Sequence, residues 1–310
     1  MPELPEAETI AADLRILAGA TITAAVTLHP PTAAGPLPLS ALEGERIAST
    51  YRRGKCVVIG LEGGLALLAS LRMTGQFLFG RGEAGTPPAG EAAGRPAAGK
   101  PAGPGAGSPG ARPAAGPPDA RGWPPHVRAA FLLDGPRGPA GEDALLYRDI
   151  RTFGRLYVAP AAELDRLHPA GAAAADALSL SEDDFHRRLS SSRAPVKTVM
   201  MDQSVMGGIG NIYATEILFA AGISPGRTAS GISRPESDRI RRAAREILAE
   251  AIARRGSTVE NYRAPLGPGT YQELHRAYGR AGLPCPRCGR PLQRAVIAGR
   301  GTVWCPGCQK

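Results

Sequence analysis

The stretch CPRCGRPLQRAVIAGRGTVWCPGC, residues 285–308, decides how the end of this chain folds. Each C-x2-C pair brings two thiolates close enough to share one tetrahedral metal ion, and the 16-residue spacer forms the connection between the pairs. A segment this short cannot build a hydrophobic core of its own. Four sulfurs leave no open coordination position, so the spacing predicts one structural zinc ion, with an iron–sulfur cluster as the weaker alternative. The four predicted ligands are Cys285, Cys288, Cys305 and Cys308.

Between the two cysteine pairs lies Gly299-Arg300-Gly301-Thr302. An arginine flanked by glycines at a hairpin tip is presented to a partner, and its guanidinium suits a phosphate or a minor-groove edge. A solvated surface arginine remains the alternative on this pattern alone.

The amino-acid composition indicates what kind of molecule this protein binds. The 310 residues are 43% hydrophobic but only 5% aromatic, so a sizeable core must be filled mostly by aliphatic side chains. The formal net charge of +9 favours an anionic partner, either nucleic acid or a membrane surface, although solubility alone also explains it. No apolar run is long enough to span a membrane, and the N-terminus lacks the features of a secretory signal. We therefore expect an intracellular protein with reduced thiols.

The first half is predicted to be mostly β-structure with one leading helix. Pro5 suits the first turn of that helix, and Gly19 is its expected end. Two hairpins are predicted, the first joining 56–59 to 65–68 and the second joining 127–133 to 144–147.

Residues 81–125 are dominated by Gly, Ala and Pro and have almost no bulky apolar side chains. Such a stretch cannot bury enough surface to offset its ordering entropy, so we expect a disordered insertion between two strands. The alternative is a weak electrostatic tether to DNA through Arg81, Arg95, Lys100, Arg112 and Arg121.

The second half is predicted to be helical. A Ser cap at Ser181 begins one helix, and others are expected over 196–206, 211–221 and 236–254. Gly207-Gly208-Ile209-Gly210-Asn211 permits a tight turn whose backbone N–H groups bind a phosphate at the helix start, with the Asn211 amide as an added donor. An ordinary glycine-rich helix connection is the alternative.

Four motifs together resemble the formamidopyrimidine-DNA glycosylases: MPELPE at residues 1–6, Arg53-Gly54-Lys55, Gly210-Asn211-Ile212-Tyr213-Ala214, and the four-cysteine tail. The resemblance covers everything except 81–125. It implies an α+β multidomain protein with an N-terminal β-sandwich and leading helix, a helix–two-turn–helix domain and a zinc finger. We place the boundaries at 1–160 for the catalytic domain, 161–178 for a linker, 179–275 for the DNA-binding domain and 276–310 for the finger.

By this resemblance Pro2, freed by removal of Met1, is the nucleophile that attacks the sugar C1′ and forms a Schiff base. An α-amino group has a pKa of about 8, close enough to neutrality to supply free base. Glu3 is then the general acid/base, and Lys55 reaches the DNA beside the lesion. Glu6 either orients the site or only favours the helix dipole.

The resemblance also assigns DNA contacts. Met73, Arg151 and Phe153 fill the hole left by the flipped base, while Asn211 and Arg300 clamp the flanking phosphates. Thr152 and Ser70 depart from the family, since many members carry arginine and histidine there for phosphate contacts. Residues 257–269 resemble only loosely the loop that covers the extruded base.

We therefore expect a monomeric base-excision enzyme that removes 8-oxoguanine and formamidopyrimidines from duplex DNA, cleaves the strand by β,δ-elimination, and carries one structural zinc. Abasic sites are the other expected substrate, and no membrane is expected. The alternatives are an endonuclease VIII-like enzyme for oxidised pyrimidines and a catalytically silent damaged-DNA-binding protein. The location is expected to be the cytoplasm, on the nucleoid of a bacterium.

Overall fold

Two four-stranded antiparallel sheets form the first half of the protein. The computed structural model describes residues 2–82, 122–167, 175–258 and 262–310. One sheet has the strand order β1-β6-β7-β5 and the other β2-β3-β4-β8. Their facing sides share one core, in which Leu67, Phe77, Phe131 and Tyr147 are buried. The strands are β1 Thr21–Thr27, β2 Ile47–Arg53, β3 Cys56–Leu61, β4 Leu65–Ser70, β5 Gly75–Gly80, β6 Val127–Asp134, β7 Ala144–Asp149 and β8 Arg155–Pro160.

The leading helix, α1 (Leu4–Leu14), joins this sandwich to the second half of the protein. Glu3 caps it in a reciprocal capping box with Glu6, which satisfies two backbone donors at the helix start. Ile10 belongs to the core of the sandwich, whereas Leu4 belongs to the core of the helical half. One helix therefore packs into both cores, and its first turn lies at the boundary between them.

Both predicted hairpins are confirmed, as β3 with β4 and β6 with β7. The insertion predicted over residues 81–125 includes residues at both ends that belong to the fold. Trp123 is 4% exposed, and its indole N–H donates to the carbonyl of Arg81 at 2.8 Å. These flanks belong to the fold because they cover the outer face of the β6–β7 sheet, while residues 83–121 lie outside the described residues. Four of the five cations of the suggested tether also lie outside them, namely Arg95, Lys100, Arg112 and Arg121.

The helices of the second half are α2 Leu164–Leu167, α3 Glu182–Leu189, α4 Val196–Met201, α5 Asn211–Ala221 and α6 Arg234–Ala253. Ser181 caps α3 as predicted, with its hydroxyl oxygen accepting from the Asp184 N–H at 3.1 Å. The prediction of a helix over 196–206 is wrong beyond Met201. Asp202 leaves the helical conformation, and its carboxylate accepts from the Ser204 N–H at 2.9 Å, which closes a turn instead of extending the helix.

The chain ends in a hairpin of β9 (Gln293–Ile297) and β10 (Arg300–Trp304). Leu292 and Val303 of this segment pack against Phe219 of α5 in a small cluster. In the part of the chain that the structure describes, no helix combines the length and apolarity needed to cross a membrane. The domain limits at 160, 178 and 275 stay predictions.

Candidate active site

The N-terminus is fixed against the start of α5. Pro2 is buried, and Glu3 is 2% exposed. The Glu3 carboxylate accepts from the backbone N–H groups of Gly210 at 2.8 Å, Ile212 at 2.9 Å and Tyr213 at 3.3 Å. A negative side chain is favourable there because the first N–H groups of a helix have no partner within it. A Cβ on Gly210 would lie 2.4 Å from the Glu3 carboxyl carbon, so this position needs glycine.

These contacts correct one interpretation of the glycine-rich loop. The backbone N–H groups of Gly210, Ile212 and Tyr213 bind a carboxylate of the same chain, so these three groups are not free to bind a phosphate.

Glu6 supports Glu3 from behind. One Glu6 oxygen accepts from the Glu3 N–H at 2.8 Å, and the other accepts from the Tyr213 hydroxyl at 2.6 Å and the Ser257 N–H at 2.7 Å. Burial raises the pKa of Glu6, and the charge of Glu3 raises it further. The geometry places Glu6 behind the first turn, where it holds the backbone next to Pro2.

Lys55 occupies the turn between β2 and β3 and is half-buried. Burial lowers the pKa of Lys55; Glu3 and Glu6 raise this pKa, whereas Arg300 lowers it. Lys55 therefore lies within the electrostatic influence of Glu3, Glu6 and Arg300. The preceding arginines are engaged elsewhere, because Arg52 pairs with Glu8 and Asp176 and Arg53 pairs with Asp165.

Lys197 joins the zinc finger to the start of α5. It is 1% exposed, and its ammonium donates to Asn211 Oδ1 at 2.7 Å and to Thr302 Oγ1 at 2.8 Å. Asn211 Nδ2 in turn donates to the carbonyl of Gly301 at 3.2 Å. Burial lowers the pKa of Lys197 to about 8. Sequence reasoning missed Lys197, because the sequence of a short helix does not show whether its lysine is buried or exposed.

A cavity of about 220 Å³ lies where α4 faces the finger hairpin. Lys197 and Arg300 are its cationic lining residues, so it is suited to an anionic group. The remaining lining residues are Thr198, Met201, Asp202, Ile297 and Ala298.

Two turns project from the end of the sandwich that carries Lys55. Met73 lies in the turn between β4 and β5, and Arg151 and Phe153 lie in the turn between β7 and β8. The pairing of Cys56 with Ser70, and of Ser70 with Arg155, brings both turns and Lys55 to the same sheet end. Phe153 is 49% exposed, with the Arg151 guanidinium carbon 4.9 Å from its ring centroid.

Asp149 connects these two turns, and sequence reasoning gave it no role. It is fully buried, and its carboxylate accepts from the Thr74 hydroxyl, from the Gly154 N–H at 2.7 Å and from the Arg151 N–H at 3.3 Å. A buried carboxylate with three donors fixes its surroundings, because losing any donor leaves charge unsatisfied. The exposed aromatic ring is thus carried on a rigid support.

The four cysteines of the finger converge as their spacing predicted. All four sulfurs lie within 4.8 Å of one another, with Cys288 and Cys305 at 3.4 Å and Cys285 and Cys308 at 4.0 Å. A tetrahedral ion with metal–sulfur bonds of about 2.3 Å needs sulfurs roughly 3.8 Å apart. The geometry fits one structural zinc ion, which confirms the predicted cofactor. Cys56, in contrast, is buried in β3, where burial raises its pKa to about 11.

Comparison with known proteins matches the whole length of the chain. Three family models match: the formamidopyrimidine-DNA glycosylase N-terminal domain at residues 1–156, its H2TH domain at 172–263, and the zinc finger found in FPG and IleRS at 282–310. The formamidopyrimidine-DNA glycosylase of Thermus thermophilus is 38% identical over 100% of this chain and 98% of its own length. That of Chloroflexus aurantiacus is 35% identical over the same shares.

Solved structures of this family also match the fold of the chain. The MutM (Fpg) protein from Thermus thermophilus has a TM-score of 0.78 at 37% identity, covering 99% of this chain and 98% of the other. The Lactococcus lactis Fpg in complex with abasic-site DNA shares the fold with a TM-score of 0.78 at 23% identity, covering 99% of each chain.

The fold, the site and these matches define a DNA-repair glycosylase with a helix–two-turn–helix domain and a zinc finger. The chain belongs to the formamidopyrimidine-DNA glycosylase family. It is a base-excision repair enzyme with glycosylase and lyase activities, and DNA is its partner. The family, fold class and enzyme class predicted from the sequence are confirmed.

Proposed function

We propose that Pro2 is the nucleophile of this enzyme and that its substrate is duplex DNA holding 8-oxoguanine or a formamidopyrimidine. One observation carries the assignment of the site: three backbone N–H groups at the start of α5 hold the Glu3 carboxylate, next to Pro2 and near the ammonium of Lys55. Once Met1 is removed, the secondary amine of Pro2 is the terminal group of the chain.

The chemistry follows from this arrangement. The Pro2 nitrogen attacks C1′ of the flipped nucleotide, the bond from C1′ to the base breaks, and the departing base takes a proton from solvent. The Glu3 carboxylate takes the proton that the Pro2 nitrogen loses and passes it to the sugar ring oxygen, so that the ring opens and an iminium (protonated Schiff base) forms between Pro2 and C1′. Loss of a C2′ proton and of the 3′ phosphate, then of the 5′ phosphate, cleaves the strand on both sides of the sugar.

Contacts with the duplex are assigned to the residues around this centre. Met73, Arg151 and Phe153 enter the space of the flipped base, and the rigid support by Asp149 suits that role. Asn211 and Arg300 bind the phosphates beside the flipped nucleotide, with Lys197 holding Asn211 in place. We place the protein in the bacterial cytoplasm on nucleoid DNA, acting as a monomer.

Borohydride trapping tests the nucleophile. We expect a covalent complex on a denaturing gel with a duplex carrying 8-oxoguanine opposite cytosine, and at least a tenfold weaker one for Pro2→Gly, because glycine leaves a primary amine without the ring geometry. Trapping mainly on a dihydrouracil duplex would favour the alternative of an endonuclease VIII-like enzyme for oxidised pyrimidines. If zinc-loaded protein with a free Pro2 terminus gave no complex on either duplex or on an abasic site, the remaining explanation would be a catalytically silent damaged-DNA-binding protein. Full activity of protein that demonstrably retains Met1 would contradict the assignment.

Phe153→Ala tests the inserted ring separately. Because the side chain is half exposed, we expect its loss to change the free energy of unfolding by no more than about 0.5 kcal/mol. We expect single-turnover excision of 8-oxoguanine to slow about tenfold or more, since a stacking contact is worth about 1–3 kcal/mol. Ile16→Ala is the matched control, because Ile16 is 41% exposed and lies outside the site. Equal rates for the two variants would remove Phe153 from the machinery.

A further inference from the structure

Two arginines that sequence reasoning left unassigned lie at the base of the 150–154 turn. Arg128 comes from β6, and its Nε donates to the carbonyl of Asp149 at 2.9 Å. Arg155 comes from β8, and its Nη1 donates to the carbonyls of Thr152 at 2.8 Å and Gly154 at 2.7 Å. The turn that carries Arg151 and Phe153 is therefore held by a guanidinium from each sheet of the sandwich.

These two guanidinium groups are oriented by backbone carbonyls and not by carboxylates, and Arg128 Nη2 also lies 3.5 Å from Nδ1 of His126. Within residues 2–82, 122–167, 175–258 and 262–310, arginines such as Arg46, Arg52 and Arg227 form ion pairs, whereas no carboxylate oxygen lies within 4.0 Å of Arg128 or Arg155. A guanidinium oriented in this way keeps its charge and part of its donor fork available. An incoming anion would have no ion pair to displace.

His29 places an imidazole beside them. The backbone N–H groups of Leu28 and His29 both donate to the carbonyl of Arg128. Burial lowers the pKa of His29, and Arg128 and Arg155 each lower it further, while Asp149 raises it. His29, Arg128 and Arg155 thus form one group, which we call the rim cluster.

We propose that the rim cluster binds one phosphate of the duplex at the base of the inserted turn. This rests on the proposed function, in which Phe153 enters the DNA. Side chains that act as wedges enter from the minor groove, which is only about 6 Å wide, so the phosphates of its rims meet the residues beneath the wedge. Thr152 stands where many family members carry an arginine for a phosphate contact. In this chain Arg155 binds the carbonyl of that same residue, which supplies a guanidinium there from the neighbouring strand.

The dependence of DNA affinity on salt tests the site without any chemistry. We would measure the Kd for a duplex containing an uncleavable abasic analogue over a range of KCl concentrations. Each phosphate contact contributes about 0.9 to the slope of log affinity against log salt. We expect Arg128→Gln to lower the slope by about 0.9 and to weaken binding about fivefold to tenfold at physiological salt, whereas Arg128→Lys keeps the slope because it keeps the charge.

Two further variants sharpen the result. Arg46→Gln is the control, because it removes one positive charge that is already paired with Glu62, and we expect its slope to match the wild type. We expect the phosphate to be held only when both guanidinium groups are present, so adding Arg155→Gln to Arg128→Gln should lower the slope no further.

An unchanged slope in Arg128→Gln, even with weaker binding, would show that Arg128 only braces the turn and would overturn the proposal. A double variant that loses about 1.8 in slope would overturn the shared site. Neither result depends on Pro2, so failure of the nucleophile assignment would be seen in the trapping experiment alone.

Discussion

A Glu3→Gln enzyme is expected to excise 8-oxoguanine about a thousandfold more slowly than the wild type, because it lacks the carboxyl group that we propose moves a proton to the sugar. The amide is isosteric but carries only one acceptor oxygen. Its NH₂ group would face the N–H donors of Gly210, Ile212 and Tyr213. We therefore also expect a loss of about 1–3 kcal/mol in the free energy of unfolding. Single-turnover kinetics and thermal melts measure the two effects.

The chain offers a matched control for the second effect. Glu216 lies on α5, is 2% exposed, and its carboxylate accepts from the backbone N–H groups of Arg276, Ala277 and Tyr278. Glu216→Gln disturbs the same kind of contact away from Pro2. We expect it to lower the melting temperature to a similar extent and to leave the excision rate within a few-fold of wild type. If both variants lost activity in proportion to stability, Glu3 would have only a structural role.

Loss of zinc is expected to have the second large effect. The cluster that holds the finger contains Phe219, Ala277, Leu292 and Val303 together with two of the metal ligands, so little apolar packing remains without the ion. A small four-cysteine unit of this kind folds only with its metal. We expect Cys288→Ser to remove the ion and to release Arg300 and Thr302, which would weaken binding to the abasic-analogue duplex about a hundredfold, or about 2.7 kcal/mol.

Cys56→Ala provides the control for this experiment, since Cys56 is a buried cysteine of the sandwich that takes no part in the cluster. Metal analysis should find one zinc per chain in Cys56→Ala and none in Cys288→Ser. The β-sandwich should keep its own thermal transition in both proteins. Wild-type DNA affinity in a zinc-free Cys288→Ser protein would show that the finger does not contribute to binding.

The sequence was most informative where a function depends on residues close together in the chain. The cysteine spacing predicted the metal site, and the Ser cap at Ser181 predicted the start of α3. The end of α4 was missed because the competing turn at Asp202 is closed by a side chain rather than by glycine or proline. Strands β1, β2, β5 and β8 were missed because their apolar residues do not alternate regularly enough to stand out.

Contacts between distant segments were beyond sequence reasoning. Asp149 and Thr74 lie 75 residues apart, and Lys197 and Thr302 lie 105 apart. No local pattern shows that a carboxylate or an ammonium will be buried, since burial depends on which strand or helix finally covers it. For the same reason the run Arg52-Arg53-Gly54-Lys55 looked uniformly basic, although its arginines are paired with acids from three other segments.

The contact between Glu3 and the start of α5 also has a consequence for how the enzyme is made on the ribosome. Glu3 is synthesised almost first, whereas its donors at Gly210, Ile212 and Tyr213 follow more than 200 residues later. At about 5–20 residues per second, the nascent chain carries Glu3 for roughly 10–40 s before these donors exist. A chain released early would therefore contain Pro2, the proposed nucleophile, without the contacts that fix Glu3 beside it.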